Sequence, residues 1–147
     1  MEPKFTWNEQ TGVSSCTITD GSFEYTGFAT CHPDDLDFQS ERTGYEIAYR
    51  RAEIKMLKNI KKEQKLIYDT LNHLYSTINH SKKYNPESYE ARAIQRELSN
   101  AAYDYFSFSE ILKERKQSLN NYIAMKETFY KKIRQGRNKS INQEEKA

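Results

Sequence analysis

The chain has 147 residues, of which 36% are hydrophobic and 30% charged, and its 23 Lys and Arg against 21 Asp and Glu leave a net charge of +2. That balance excludes a strong global field for recruiting nucleic acid or an anionic membrane, and no apolar run approaches the roughly 18–20 residues that span a bilayer. The length suits one domain, and the modest apolar fraction predicts a thin core or helices laid against a partner. The two cysteines, Cys16 and Cys31, have no zinc-ligand or C-x-x-C spacing, so reduced thiols are expected. No apolar run follows the N-terminus, which predicts no leader and a soluble, cytoplasmic protein. The 11 tyrosines suit interfaces and ligand pockets, or half-exposed helices.

Residues 4–31 predict a small antiparallel sheet. Phe5 and Trp7 alternate with polar neighbours, and residues 8–12 (Asn-Glu-Gln-Thr-Gly) offer a turn. Asp20-Gly21 is a hairpin signal, since a type I′ turn needs positive φ at both central positions. Pairing across it sets Ile18 against Phe23 and Cys16 against Tyr25, with all four on one face and Val13 and Phe28 on the other. Gly27 is a candidate bulge. A sheet this small needs a helix to bury its apolar face.

The first helix is predicted over 40–79, N-capped by Ser40 or Asp37. Ala48, Ala52, Leu57, Ile60, Ile67, Leu71, Leu74 and Ile78 form its stripe. Lys58, Lys61, Lys62 and Lys65, among Glu53, Glu63 and Asp69, read as a solvated face. Residues 80–86 form the break, with Asn85 as N-cap and Pro86 at the first helical position. The second helix is predicted over 86–135 and stopped by Gly136. Its stripe runs from Ile94 through Leu98, Ala101, Tyr105, Phe108, Leu112, Leu119, Tyr122 and Phe129 to Ile133. About 50 helical residues would reach roughly 75 Å if straight. A bend near residues 107–109 or 120–121, or projection toward a second subunit, is therefore expected. Ala102, Tyr103, Phe106, Ile123, Met125 and Tyr130 lie off the stripe, and this apolar surplus predicts a homodimer or higher oligomer. Residues 137–147 read as a disordered tail. The fold class is α+β: an N-terminal antiparallel sheet followed by a long antiparallel helical hairpin, with 1–136 as a single domain.

His32, Asp34, Asp35 and Asp37, with Pro33 among them, could form a metal site of imidazole and carboxylates, but no distant ligand is recognisable and no metal is expected. The plainer reading is a proline turn followed by aspartates that favour the positive end of a helix. Cys31 and His32, adjacent on a strand, point to opposite faces and make a poor nucleophile pair. With no nucleophile elbow, phosphate-cradling loop or carboxylate pair, no catalytic activity and no cofactor are expected. Arginine is more informative. Arg50 with Arg92, Arg96, Asn100 and Tyr103 supplies forks for phosphate, an amide for a base edge and a ring for stacking. These are the candidate ligand-binding residues for a nucleotide. The competing reading pairs the arginines with Glu53, Glu90 or Glu97. The basic run Lys126, Lys131, Lys132, Arg134, Arg137 and Lys139 suits a helix C-terminus. It carries no recognition-helix motif, so nucleic acid is not the expected partner.

The string GFATCHPDDLDF, followed by a helix start with Gly, Ile-Ala and Arg-Ala, resembles a motif of small bacteriophage proteins. With the sheet-then-two-helices order, the chain resembles the Thoeris anti-defence family. That resemblance implies a non-enzymatic sponge, dimeric or larger, in the infected host's cytoplasm. Its ligand would be the cyclic ADP-ribose isomer signal of a bacterial TIR-domain defence enzyme. No ligand contact is carried over from the family. The alternative is a helical inhibitor or phage accessory protein docking a host protein.

Overall fold

A computed structural model describes residues 2–32, 40–80 and 85–146. The architecture is α+β, in the order β1 (Lys4–Asn8), β2 (Val13–Asp20), β3 (Phe23–Thr30), α1 (Glu41–Asn79) and α2 (Tyr89–Glu144). The residues divide into two compact units, one of Met1–Met56 with Arg115–Ala147 and one of Leu57–Glu114. Each is described by itself.

In the first unit the three strands form one antiparallel sheet in the order β1-β2-β3. The first turn closes as expected: the Asn8 side chain accepts from the N–H groups of Gln10 and Thr11, at 3.0 and 3.1 Å. The second hairpin differs from expectation. Asp20 pairs with Phe23, Ile18 with Tyr25 and Cys16 with Gly27, so the loop is Gly21-Ser22 rather than Asp20-Gly21. Gly21 has φ +61° and Ser22 does not have positive φ, the signature of a type II′ turn with glycine first. The slip is two residues, one side-chain period, so the expected faces survive while the partners change. Cys16, Ile18 and Ala29 are buried on one face. The other is a ladder of hydroxyls, with Thr6 bonded to Ser15 and Thr17 to Thr26.

Small residues bring α1 onto the buried face. Cys16, Ala48 and Ala52 are 0% exposed and form the core with Ile18 and Ala29. Gly27 pairs in register with Cys16 and is no bulge. A Cβ there would overlap the Ala48 carbonyl oxygen and stand 2.5 Å from the Ala52 nitrogen. Gly44 meets Ser14 in the same way. Gly44, Ala48 and Ala52 recur every four residues and make a smooth ridge on α1. β3 is an edge strand, and α1 side chains serve its carbonyls: Arg51 donates to Phe28 O at 2.7 Å, and Lys55 donates to Thr26 O.

Ser40 is the N-cap of α1, its hydroxyl accepting from Thr43 N–H at 3.2 Å. The alternative cap, Asp37, lies outside the described residues with the rest of the proline–aspartate corner. For α2 the cap moves from the expected Asn85 to Ser88, whose hydroxyl accepts from Ala91 N–H at 3.1 Å. Asn85 closes the turn before it, accepting from Glu87 N–H at 3.0 Å. The expected stop at Gly136 is absent: α2 continues to Glu144, so most of the sequence that reads as a tail is helical. Gly136 keeps a helical φ because no left-handed turn follows it, and the helix also continues through 107–109 and 120–121.

In the second unit, α1 and α2 segments run antiparallel. Tyr68 stacks on Tyr105 with centroids 6.0 Å apart, and Gln95 donates to the Tyr75 hydroxyl at 3.4 Å. Leu57, Ala91, Ala101 and Leu112 are buried there, whereas Ile67 and Leu74 of the predicted stripe are exposed. Among the described residues no helix is long and apolar enough to cross a membrane.

Candidate ligand-binding cavity

The first unit encloses a cavity of about 540 Å³. One wall is the sheet edge and the segment after it: Trp7, Gly12, Ala29, Thr30, Cys31 and His32. A second is the start of α1, where Ser40, Thr43, Gly44, Ile47 and Arg51 face inward. The third is α2, from Ile123 and Ala124 through Lys126, Glu127, Thr128, Tyr130 and Lys131 to Arg134. Each wall follows from a local rule. β3 delivers Cys31, whose N–H bonds Gly12 O at 3.0 Å and prolongs the pairing beyond the strand. Gly44 lets the first turn of α1 settle on Ser14. Lys126, Tyr130 and Arg134 stand at four-residue spacing and so share one face of α2.

The charge is concentrated. Among the described residues the lining carries four permanent cations, Arg51, Lys126, Lys131 and Arg134, and one carboxylate, Glu127. Lys131 and Glu127 make no ion pair, although a Glu–Lys pair at this spacing could form one. Lys126 is held by rings instead, its Nζ 5.6 Å from the Tyr122 centroid and 6.0 Å from that of Phe129. Like charges gathered round one concave space repel, and an anion placed among them relieves that repulsion. Trp7 and Tyr130 add flat rings, and Ser40, Thr43 and Thr128 add hydroxyls. The arrangement suits a small molecule with both anionic and aromatic parts.

The residues singled out by sequence do not line this cavity. Arg50 is in the first unit but turned to other work: its Nε donates to Glu46 at 2.6 Å and its Nη1 to the Ser118 hydroxyl at 2.9 Å. Its guanidinium also lies over Tyr122, 4.8 Å from the centroid. Arg92, Arg96, Asn100 and Tyr103 belong to the second unit and are exposed, Arg92 paired with Glu87. Arg50 and the other four thus fall in separate units. Arg50 does pair with a carboxylate at helical spacing, though Glu46 rather than Glu53, and Arg92 pairs with Glu87 in the turn before α2 rather than with Glu90 or Glu97. Glu53 does take an arginine, Arg115, at 2.9 Å.

Two signals pointed to the cavity. Arg51, beside Arg50, was one. The other was the basic run of α2, which sequence reasoning assigned to a helix terminus. Because α2 extends to Glu144, that run is interior and its last turn holds no basic residue. The motif stretch also contributes more than a corner, since nine of the nineteen lining residues fall between Ala29 and Arg51. His32 and Cys31 are among them. No group of three or more metal-ligating side chains occurs among the described residues.

Burial raises the Cys16 thiol pKa and, followed by the Glu53 carboxylate, that of the Tyr49 phenol. The Tyr45 phenol is raised first by its hydrogen bond to Glu41. None of the three lines the cavity. Comparison of the chain with protein-family models, with curated proteins and with solved structures gives no match.

Proposed function

We propose that this protein binds and sequesters a cyclic nucleotide signal without altering it, as its resemblance to phage Thoeris anti-defence proteins implies. The setting is the host cytoplasm and the form a homodimer or higher oligomer. The observation that carries the reading is the cavity: its volume of about 540 Å³ lies in the range of small-molecule sites, and among its described lining residues four are permanent cations and one a carboxylate. Such a ligand asks for cations at its phosphates and a ring at its base. Sequestration asks for slow release, which side chains fixed on helices and a sheet edge favour by limiting the ordering cost of binding. The exposed Leu66, Tyr103 and Phe106 of the second unit suit contact with another copy.

The test uses purified protein and a panel of cyclic ADP-ribose isomers. At about 100 times its dissociation constant, a ligand raises stability by roughly 2.7 kcal/mol, visible as a thermal shift. The single tryptophan, Trp7, lines the cavity and provides a fluorescence readout. The protein should deplete the ligand from solution and return it intact on heating. A hydrolysed product would make it an enzyme, and a flat response across the panel would remove the nucleotide reading. Light scattering gives the oligomeric state directly.

A further inference from the structure

We infer that Glu127 makes the cavity selective for a phosphate-bearing nucleotide that presents an N–H or O–H donor, and against a diphosphate ester that presents none. The inference rests on the nucleotide reading above and adds what the ligand must offer besides charge. Four cations alone, Arg51, Lys126, Lys131 and Arg134, would take any compact polyanion. Glu127 changes that chemistry. It lies on the same α2 wall, one position after Lys126 and four before Lys131, and makes no ion pair with either. It is also exposed, so its carboxylate oxygens keep their accepting capacity.

A free carboxylate in a cationic wall acts in opposite senses on the two ligand types. It repels the oxygens of a diphosphate esterified on both phosphorus atoms, which has no proton to offer it at neutral pH. It accepts a charge-assisted hydrogen bond from a ribose hydroxyl or a base N–H. A nucleotide satisfies both needs of the wall: its phosphates meet the cations while its sugar or base meets Glu127. Trp7, on the sheet wall of the same cavity, gives that base a ring to lie on.

Cyclic ADP-ribose isomers and P1,P2-dimethyl diphosphate share a doubly esterified diphosphate and differ in that only the former bear hydroxyl and N–H donors, so they isolate this effect. Their binding to the wild-type chain and to Glu127→Gln is compared by isothermal titration, with circular dichroism reporting that the variant is folded. Glu127→Gln should weaken nucleotide binding by about 10- to 100-fold, the usual worth of a hydrogen bond to a charged group. The same variant should bind dimethyl diphosphate more tightly than the wild type. If both affinities move in one direction, or nucleotide binding is unchanged, the selectivity inference is overturned while sequestration stands. If the wild-type chain binds dimethyl diphosphate but no nucleotide, or neither, the sequestration reading falls as well.

Discussion

The two compact units use the same two helices to opposite ends. In the first, small side chains let α1 settle against a sheet, and the core residues Cys16, Ala48 and Ala52 are sealed from solvent. In the second, helix meets helix through large rings, Tyr68 with Tyr105 and Phe106, while Leu66, Ile67, Leu74 and Tyr103 face outward. Close approach of backbones leaves little slack, and so the first unit can hold walls in fixed positions round a cavity. Packing through long side chains tolerates substitution, and the second unit carries apolar surface that an isolated chain does not cover. Helical periodicity is the same in both, so a stripe alone does not say whether its residues are buried.

The largest effect should come from Gly27→Ala. The added methyl group overlaps backbone atoms of Ala48 and Ala52, which cannot move aside as a flexible side chain would. Overpacking of this kind costs typically about 1–3 kcal/mol, and a backbone neighbour puts this site at the upper end. Urea denaturation should show a lower midpoint with an unchanged slope. A variant as stable as the wild type would mean that α1 does not lie on the sheet as closely as described, and the contrast between units would weaken.

That contrast was partly legible in the sequence. Alternation in β2 fixed the buried face, because a two-residue slip preserves side-chain parity; it could not fix the partners, because Asp20-Gly21 and Gly21-Ser22 are both serviceable two-residue loops. Helix existence followed from long uninterrupted periodicity. Helix ends did not, since Gly136 can be read as a stop or as a tolerated interior residue, and Ser88 competes with Asn85 for the cap. The cavity was less legible still. Its walls come from three separated segments, and only packing through Gly27, Gly44, Ala48 and Ala52 brings two of them together. Arginine spacing along one helix could not disclose that Arg92 and Arg96 lie in a different unit from Arg50.

In the second unit, a pair of leucines sharpens the comparison. Leu112 is 4% exposed and Leu66 is 68% exposed. Leu112→Ala should cost about 2–3 kcal/mol, toward the low end of buried truncations because a helix pair can relax around the gap. Leu66→Ala should change the stability of a monomer by less than about 0.5 kcal/mol. A larger loss at Leu66, growing with protein concentration, would show that another copy covers it. Chemical denaturation at two protein concentrations separates these outcomes.

A pH titration examines the core of the first unit. Burial raises the Cys16 thiol above its ordinary pKa, so the folded state holds the proton more tightly than the unfolded chain. The associated stability is whole below the ordinary thiol pKa of about 8.5 and is lost as pH rises through the folded-state value. Tyr49, raised by burial and then by Glu53, adds a loss at higher pH, above about 10. Stability should therefore fall on the alkaline side, and Cys16→Ala should flatten the part of the fall that begins nearer 8.5. An unchanged alkaline limb in that variant would place the responsible group elsewhere.

The smallest effect is expected where packing stops deciding. Gly136 lies within α2, has an ordinary helical φ, and a Cβ added there meets nothing within 4 Å. Alanine gains helix propensity over glycine at an exposed interior position, about 0.5–1 kcal/mol, because the unfolded chain loses less conformational freedom on folding. Gly136→Ala should stabilise by that amount and raise helical circular dichroism, the reverse in sign of Gly27→Ala within the same unit. If residues 137–144 were instead a tail beyond a glycine stop, alanine would have to enter the left-handed region that such a stop requires, and stability would drop. The sign of this one substitution thus decides whether the basic run of α2 lies inside a helix, where it can wall a cavity, or at the frayed end of one.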